Sequence, residues 1–297
     1  QHWLHNPLRD QIKIQNRLED VSTLIGNPGS ESCLIVRKRL KKIVDIERIS
    51  ARIAFKSIRP RDLSGLRDSL ERLPEIVSLL SEYSGKNMAI LVKAMTPKIE
   101  LLSLLKNAIH DEPNIMLRDG NVIADGYDKE LDELRAIQNN CGEFLLQLEL
   151  REKARTNIPT LRVEYNRVHG FYIEVTNTHK EKIPEDYSRR QTLKNAERYV
   201  TPELKIFEER ALSAKDRSLA REKLLFNLVL DTLVSYVSHL QQIALSVAEL
   251  DVLATFAERA LTLNYTMPNF TSEAVIKIQE GRHPVVENQV DNFVAND

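Results

Sequence analysis

The residues best suited to chemistry in this chain are cations set among amides and hydroxyls. Between Asp186 and Tyr199 stand Arg189, Arg190, Lys194 and Arg198, opposed only by Asp186 and Glu197. Ser188, Gln191, Thr192 and Asn195 lie among them. Arginine and lysine neutralise phosphates, while serine, threonine and asparagine donate hydrogen bonds to phosphate oxygens. A local excess of this size also occurs on ordinary solvated loops. By composition alone the stretch is therefore either a phosphate-binding surface or a plain solvent-facing one, and some of its arginines have Glu174, Glu181 or Glu185 as alternative partners.

A second group, Asn166, Arg167 and His169, falls between two strand-like runs and is followed by Gly170. Asparagine tolerates the left-handed backbone of tight turns, and glycine adopts it at no steric cost. These residues serve turn geometry, phosphate contact, or both. Phe171 and Tyr172 have the faces to stack on bases, but aromatics in a small β unit more often fill its core. The same holds for Tyr165, Tyr187 and Tyr199. No spacing among the seven histidines or the two cysteines matches a metal site, and Cys33 and Cys141 are expected to be free thiols of a reducing cytoplasm. No nucleophile elbow and no Gly-x-x-x-x-Gly-Lys-Ser/Thr loop is present.

These side chains need elements to hold them. Apolar residues recur at helical spacing over residues 8–25, up to a turn at Gly26-Asn27-Pro28-Gly29-Ser30. A second helix is expected from Cys33 to Ser57, ending before Arg59-Pro60. A third opens at Arg61-Asp62-Leu63 and runs to about Leu73, with Pro74 in the first turn of the next. Another helix fits 86–110, with an interruption at Pro97. Turn formers from Asp111 to Gly126 suggest a short hairpin around Asp119-Gly120. Helical pattern resumes from Lys129 to about Arg155.

Thr160–Tyr165 alternates apolar and polar residues, the mark of a half-buried strand. Gly170–Val175 is a second strand, and 166–169 has the length of a hairpin turn. Thr201 is expected to cap a helix with Pro202 at its first position. From there to about Leu263 neither proline nor glycine occurs, so a helix of about 60 residues would span roughly 90 Å. Its charged early part, 205–223, should project into solvent and its later part should pack in a core. Paired with the helix ending near Arg155, it would make a two-helix arm with the β segment 160–200 at its tip. Ala274–Ile278 reads as a last strand.

The chain has 297 residues, 42% hydrophobic and 29% charged, with few glycines and a formal net charge of -1. That is the balance of a helix-rich protein with a buried core. Dedicated nucleic-acid binders are often strongly basic, so any such contact here must be local. No apolar run approaches the roughly 20 residues needed to span a bilayer. The chain starts at Gln1 rather than Met, and both ends look cut from something longer.

Several phrases resemble the MutS-type DNA mismatch-repair family. Trp3-Leu4-His5-Asn6-Pro7-Leu8, Asp45-Ile46-Glu47-Arg48-Ile49 and Arg59-Pro60-Arg61-Asp62-Leu63 resemble its lever helices. Asp125-Gly126-Tyr127-Asp128-Lys129-Glu130-Leu131-Asp132 is similar to the start of its arm. Residues 165–173 (Tyr165 to Ile173) and 190–199 (Arg190 to Tyr199) resemble its clamp. Leu261-Thr262-Leu263-Asn264-Tyr265 and Glu280–Val286 resemble the approach to its ATPase domain. The phrases follow the family's order along essentially the whole chain.

The resemblance implies a mainly α fold: a helical core with a long two-helix lever arm and a small inserted mostly-β clamp domain at its tip. The implied domains are 1–156 helical core and lever, 157–203 clamp, 204–268 lever helix returning to the core, and 269–297 an incomplete start of the ATPase domain. It implies a cytoplasmic, nucleoid-associated bacterial protein, with no membrane partner, that binds double-stranded DNA. As DNA-backbone contacts it implies Lys194 and Asn195, then Asn166, Arg167, His169, Arg189, Arg190 and Arg198. The family acts as a homodimer that encircles DNA, senses mispairs, uses ATP and Mg, and recruits a MutL-type partner. The family's mismatch-reading Gly-x-Phe-Tyr-Glu phrase is absent here. Because the phosphate-holding Gly-x-x-x-x-Gly-Lys-Ser/Thr loop is absent as well, this portion is expected to hold no cofactor and to be no enzyme; the family's main dimer contacts are expected beyond residue 297, so it is expected to be a monomer. The alternative expectation is a helical interaction scaffold with no DNA affinity of its own.

Overall fold

The computed structural model describes residues 2–26, 32–81, 85–166 and 170–297. It is mainly α with one small antiparallel sheet. The helices are α1 (His2–His5), α2 (Gln11–Ile25), α3 (Ser32–Leu40), α4 (Ile46–Ala54), α5 (Pro60–Leu80), α6 (Lys86–Ala94), α7 (Ile99–Ala108), α8 (Lys129–Asn139), α9 (Cys141–Thr156), α10 (Pro202–Val234), α11 (Val237–Thr262) and α12 (Pro284–Glu287). The strands are β1 (Arg162–Asn166), β2 (Gly170–Thr176), β3 (Ser188–Thr192) and β4 (Ala196–Val200). Two compact units form: residues 1–34 with 252–297, and residues 35–251.

Side-chain caps set several helix starts. Asp45 accepts the Arg48 amide at 2.9 Å and Asp128 accepts that of Leu131 at 2.9 Å. Thr201 accepts the Leu204 amide at 3.2 Å, with Pro202 at the first turn, as expected. The Asp45 cap also explains why the helix expected over Cys33–Ser57 is two helices. A new start signal sits inside one periodic stretch, and the Val44 amide turns away to the Ser69 hydroxyl at 3.0 Å.

Pro74 does not open a new helix; it lies inside α5. Leu63, Leu66, Leu70, Leu73, Ile76 and Leu80 are all fully buried along that helix. Each such side chain contributes about 1.5–3 kcal/mol, which together outweighs the roughly 3 kcal/mol cost of one interior proline. The interruption near Pro97 is real and separates α6 from α7.

The hairpin expected around Asp119-Gly120 is absent. Leu117–Asp119 is a single 3-10 turn, and the one pairing nearby is the bridge Ile109 to Ile123. The amides of Asn121 and Val122 point instead at the Glu222 carboxylate, at 3.1 and 3.2 Å. The helix expected from 129 to 155 is α8 and α9, divided at Asn140.

The expected continuous helix to Leu263 breaks after Val234, although no proline or glycine is there. Thr232 and Ser235 bond back to the carbonyls of Leu228 and Thr232, at 3.0 and 2.8 Å, and the Tyr236 amide shifts to Leu233. Such back-bonding competes with the helical ladder. The following helix, α11, is long and apolar enough to cross a membrane by length and composition, its most apolar 18 residues having a mean hydropathy of 1.3. Leu240, Ile243, Leu250 and Leu253 on it are fully buried. The strand expected at Ala274–Ile278 does not form; with no neighbouring strand to pair, Ile276 is 88% exposed.

The sheet order is β1-β2-β4-β3, antiparallel throughout. β1 and β2 match the two expected strands closely. β3 and β4 occupy a stretch read from sequence only as polar and basic. The α9 and α10 helices flank the sheet, and their side chains close its core. Leu148 of α9 and Leu204 and Ala211 of α10 join Leu161, Val163, Phe171, Ile173, Val175, Tyr187 and Tyr199. Phe144 of α9 stacks on Phe207 of α10 at 3.9 Å, and Phe171 meets Phe207 edge-on at 5.5 Å. Phe171, Tyr187 and Tyr199 therefore fill a core; Tyr172 is buried outside that cluster beneath Arg198, and Tyr165 is half exposed with its ring against Phe171.

Candidate functional site

The β3–β4 connection is a tight turn closed by the Leu193 amide donating to the Ala196 carbonyl at 2.9 Å. It carries Lys194 and Asn195, both exposed. Their backbone carbonyls are held by Asn177, through its side-chain amide at 3.1 Å and its main-chain amide at 3.1 Å. The turn is thus fixed from behind while its side chains face outward. Among the described residues the Lys194 ammonium has neither hydrogen bond nor ion pair.

The arginines divide into two kinds. Arg189 is mostly exposed and lies 3.6 Å from Glu197. Arg190 turns inward, to the Phe171 carbonyl at 3.2 Å and Glu208 at 3.1 Å. Arg198 also turns inward, to Glu174 at 3.0 Å and Gln191 at 3.0 Å, and lies over the Tyr172 ring at 4.1 Å. Burial pushes the Tyr172 phenol up from its ordinary value. Asn166 ends β1, half-buried, opposite Gly170. Arg167 and His169 lie outside the described residues.

Sequence reasoning missed Lys180. It sits in the 3-10 stretch Asn177–Lys182 and pairs with Glu197 at 2.8 Å, with its side chain about half exposed. Glu197 is buried beneath Lys180 and Arg189, and the Tyr199 hydroxyl donates to it. Lys180, then Tyr199, hold the Glu197 carboxyl below its usual range, while burial and Glu197 push the Tyr199 phenol up to about 12. The run Asn177-Thr178-His179-Lys180, which mixes amide, hydroxyl and cation just after a strand, was the available signal. Lys180 and Arg189 stand over one buried carboxylate, Glu197, and Lys194 is exposed on the β3–β4 turn.

The helices hold the sheet by carboxylates. Glu149 of α9 accepts the Val163 amide of β1 at 2.9 Å and the Lys153 ammonium at 2.6 Å. Glu152 of α9, buried, accepts the Tyr187 hydroxyl at 2.9 Å and Arg155 at 2.8 Å; Arg155 continues to Asp186 at 3.0 Å. Burial and then Glu152 push the Tyr187 phenol well above its ordinary range. Farther along, Glu222 of α10 is 1% exposed and paired with Arg135 of α8, and Asp128 takes both Arg221 donors, at 3.0 and 2.7 Å. Arg221 holds the Asp128 carboxyl below its usual value.

Among the described residues no group of three or more His, Cys, Asp or Glu is arranged to hold a metal. A cleft of about 560 Å³ is apolar, lined by Leu18, Val21, Phe256, Leu263 and Met267 among others, and offers no reactive pair. What the sheet surface can do chemically is bind anions through exposed cations and backbone-braced turns. In comparison with known protein families, residues 126–217 match the family model described as MutS family domain IV. That range takes in α8, α9, all four strands and the first half of α10.

Proposed function

With residues 126–217 a MutS family domain IV, the DNA-binding clamp-type domain of that family, we propose that this chain is the lever and clamp portion of a mismatch-repair protein. The sheet unit grips the duplex backbone without reading sequence, and α8, α9 and α10 carry motion between it and the ATPase domain of the parent protein. Mispair sensing, ATP and Mg chemistry, and recruitment of a MutL-type partner belong to that larger assembly in the cytoplasm. The chain by itself is then a binding element and no enzyme.

The single observation that supports this best is Lys194. It is an exposed cation, unpaired among the described residues, on a turn braced from behind by Asn177, inside the segment matched to the family. Such contacts neutralise phosphates and release counterions, so binding should be weak and strongly salt-dependent. Duplex binding by fluorescence anisotropy, from low to physiological salt, tests it. Matched and mismatched duplexes should bind alike, and Lys194→Ala should weaken both while flattening the salt slope by about one unit. Absence of binding at low salt, or a preference for the mismatch, would refute the assignment. The net charge of -1 favours the second reading, a helical scaffold without DNA affinity, and absence of binding is its expected result.

A further inference from the structure

Glu208 lies on α10 with its carboxylate only 12% exposed, and it reaches two strands. One oxygen accepts the Phe171 amide of β2 at 3.3 Å. The other faces the Arg190 guanidinium of β3 at 3.1 Å, and Arg190 also donates to the Phe171 carbonyl at 3.2 Å. The pairing of β2 with β4 begins only at Ile173. Phe171 therefore extends past the end of its neighbour, and Glu208 and Arg190 supply the acceptor and donor that a longer strand would have given.

Gly170 makes this approach possible. Its φ is +68°, and a Cβ there would stand 1.7 Å from the Glu208 oxygen. No other residue type fits between the sheet and this carboxylate without displacing it.

We propose that Glu208 is a positioning residue: it fixes the sheet on α10, and so sets the direction in which the turn bearing Lys194 and Asn195 meets the phosphate backbone. The second half of this statement rests on the DNA-backbone reading above. Its physical basis is that β3 runs from Arg190 directly into that turn, while α10 is the element that would carry motion.

Glu208→Ala and Glu208→Gln, in the full chain, test it by amide hydrogen exchange and by duplex anisotropy. In Glu208→Ala the Phe171 amide loses protection, and residues 188–192 exchange faster. Duplex affinity falls by about three- to thirty-fold, although a negative charge has been removed. Removing that charge without any change of position would strengthen binding to a polyanion, so the sign separates positioning from simple charge. Glu208→Gln keeps an oxygen for Phe171 and restores its protection, while 188–192 stays loosened by loss of the arginine pair. Should the alanine variant fail to fold, the glutamine variant decides by that split. Unchanged exchange at Phe171 and at 188–192, or tighter binding by a folded Glu208→Ala, overturns the proposal. Lost protection in a chain whose wild type binds no duplex would instead sink the DNA reading and leave Glu208 as the anchor of the sheet.

Discussion

The two halves of α10 bury different things. From Leu225 to Leu233 its inner face is Leu225, Phe226, Val229, Leu230 and Leu233, all buried. Earlier, between Leu204 and Glu222, the buried positions are Ala211, Ala214, Ser218 and Glu222. The later half is held by volume, which is strong and tolerant of small rotations. The earlier half is held by close approach and by directed pairs, Glu222 with Arg135 and Arg221 with Asp128. Directed pairs fix an orientation more sharply than they add stability. That suits a segment that must present the sheet at a set angle.

The contrast can be broken most forcefully at its apolar end. Phe226→Ala should destabilise the chain by about 3–5 kcal/mol, the cost of a large core truncation; urea denaturation measures it, and a loss under 1 kcal/mol would deny that this half is held by volume. Ala214→Leu attacks the close-approach half by overfilling it. A loss of about 1–3 kcal/mol is expected, and an unchanged midpoint would show that α8 and α10 are not in tight register there. Tyr187→Phe removes one hydrogen bond from buried Glu152. It should lower stability by about 1–2 kcal/mol, whereas no change would make the Glu152 cluster redundant.

The smallest effect is set by pH. The Asp128 carboxyl titrates below its ordinary 3.8 because Arg221 holds it charged. A depressed carboxylate stabilises the fold fully above that value and loses its contribution as pH falls through the lower folded value. The stability gap between wild type and Asp128→Asn should therefore be constant from neutrality to about pH 4 and close below it. A gap that persisted into stronger acid would assign the stabilisation to the cap geometry rather than to charge.

The same helix shows why part of the structure was legible in sequence and part was not. Thr201 with Pro202 announced the start of α10, and the dense leucines after 224 announced its packed half. The earlier half looked solvent-bound because its seam is alanine and serine among charges. Yet 204, 207, 211, 214, 218, 222, 225 and 229 keep the three-four spacing of a buried stripe throughout. β3 escaped for a related reason: Ser188–Thr192 is a polar edge strand with no buried face to alternate. The Lys194 turn was readable as a cation among amides. Glu174 was readable as an alternative partner for an arginine, and Arg198 takes it; the commitment of Arg190 was not readable, since it depends on Glu208 of α10. The strand expected at 274–278 failed because an apolar run needs a neighbour as well as a pattern.

The carboxylate of Glu149 has one more consequence. β1 is an outer strand of the sheet, and a bare outer strand invites another chain to add to it. Here the outward amide of Val163 is already occupied by Glu149, beside the ammonium of Lys153. A foreign strand would have to evict a bound ion pair before bonding to Val163. At this position the β1 edge is thereby guarded against strand addition, by the same contact that ties it to α9.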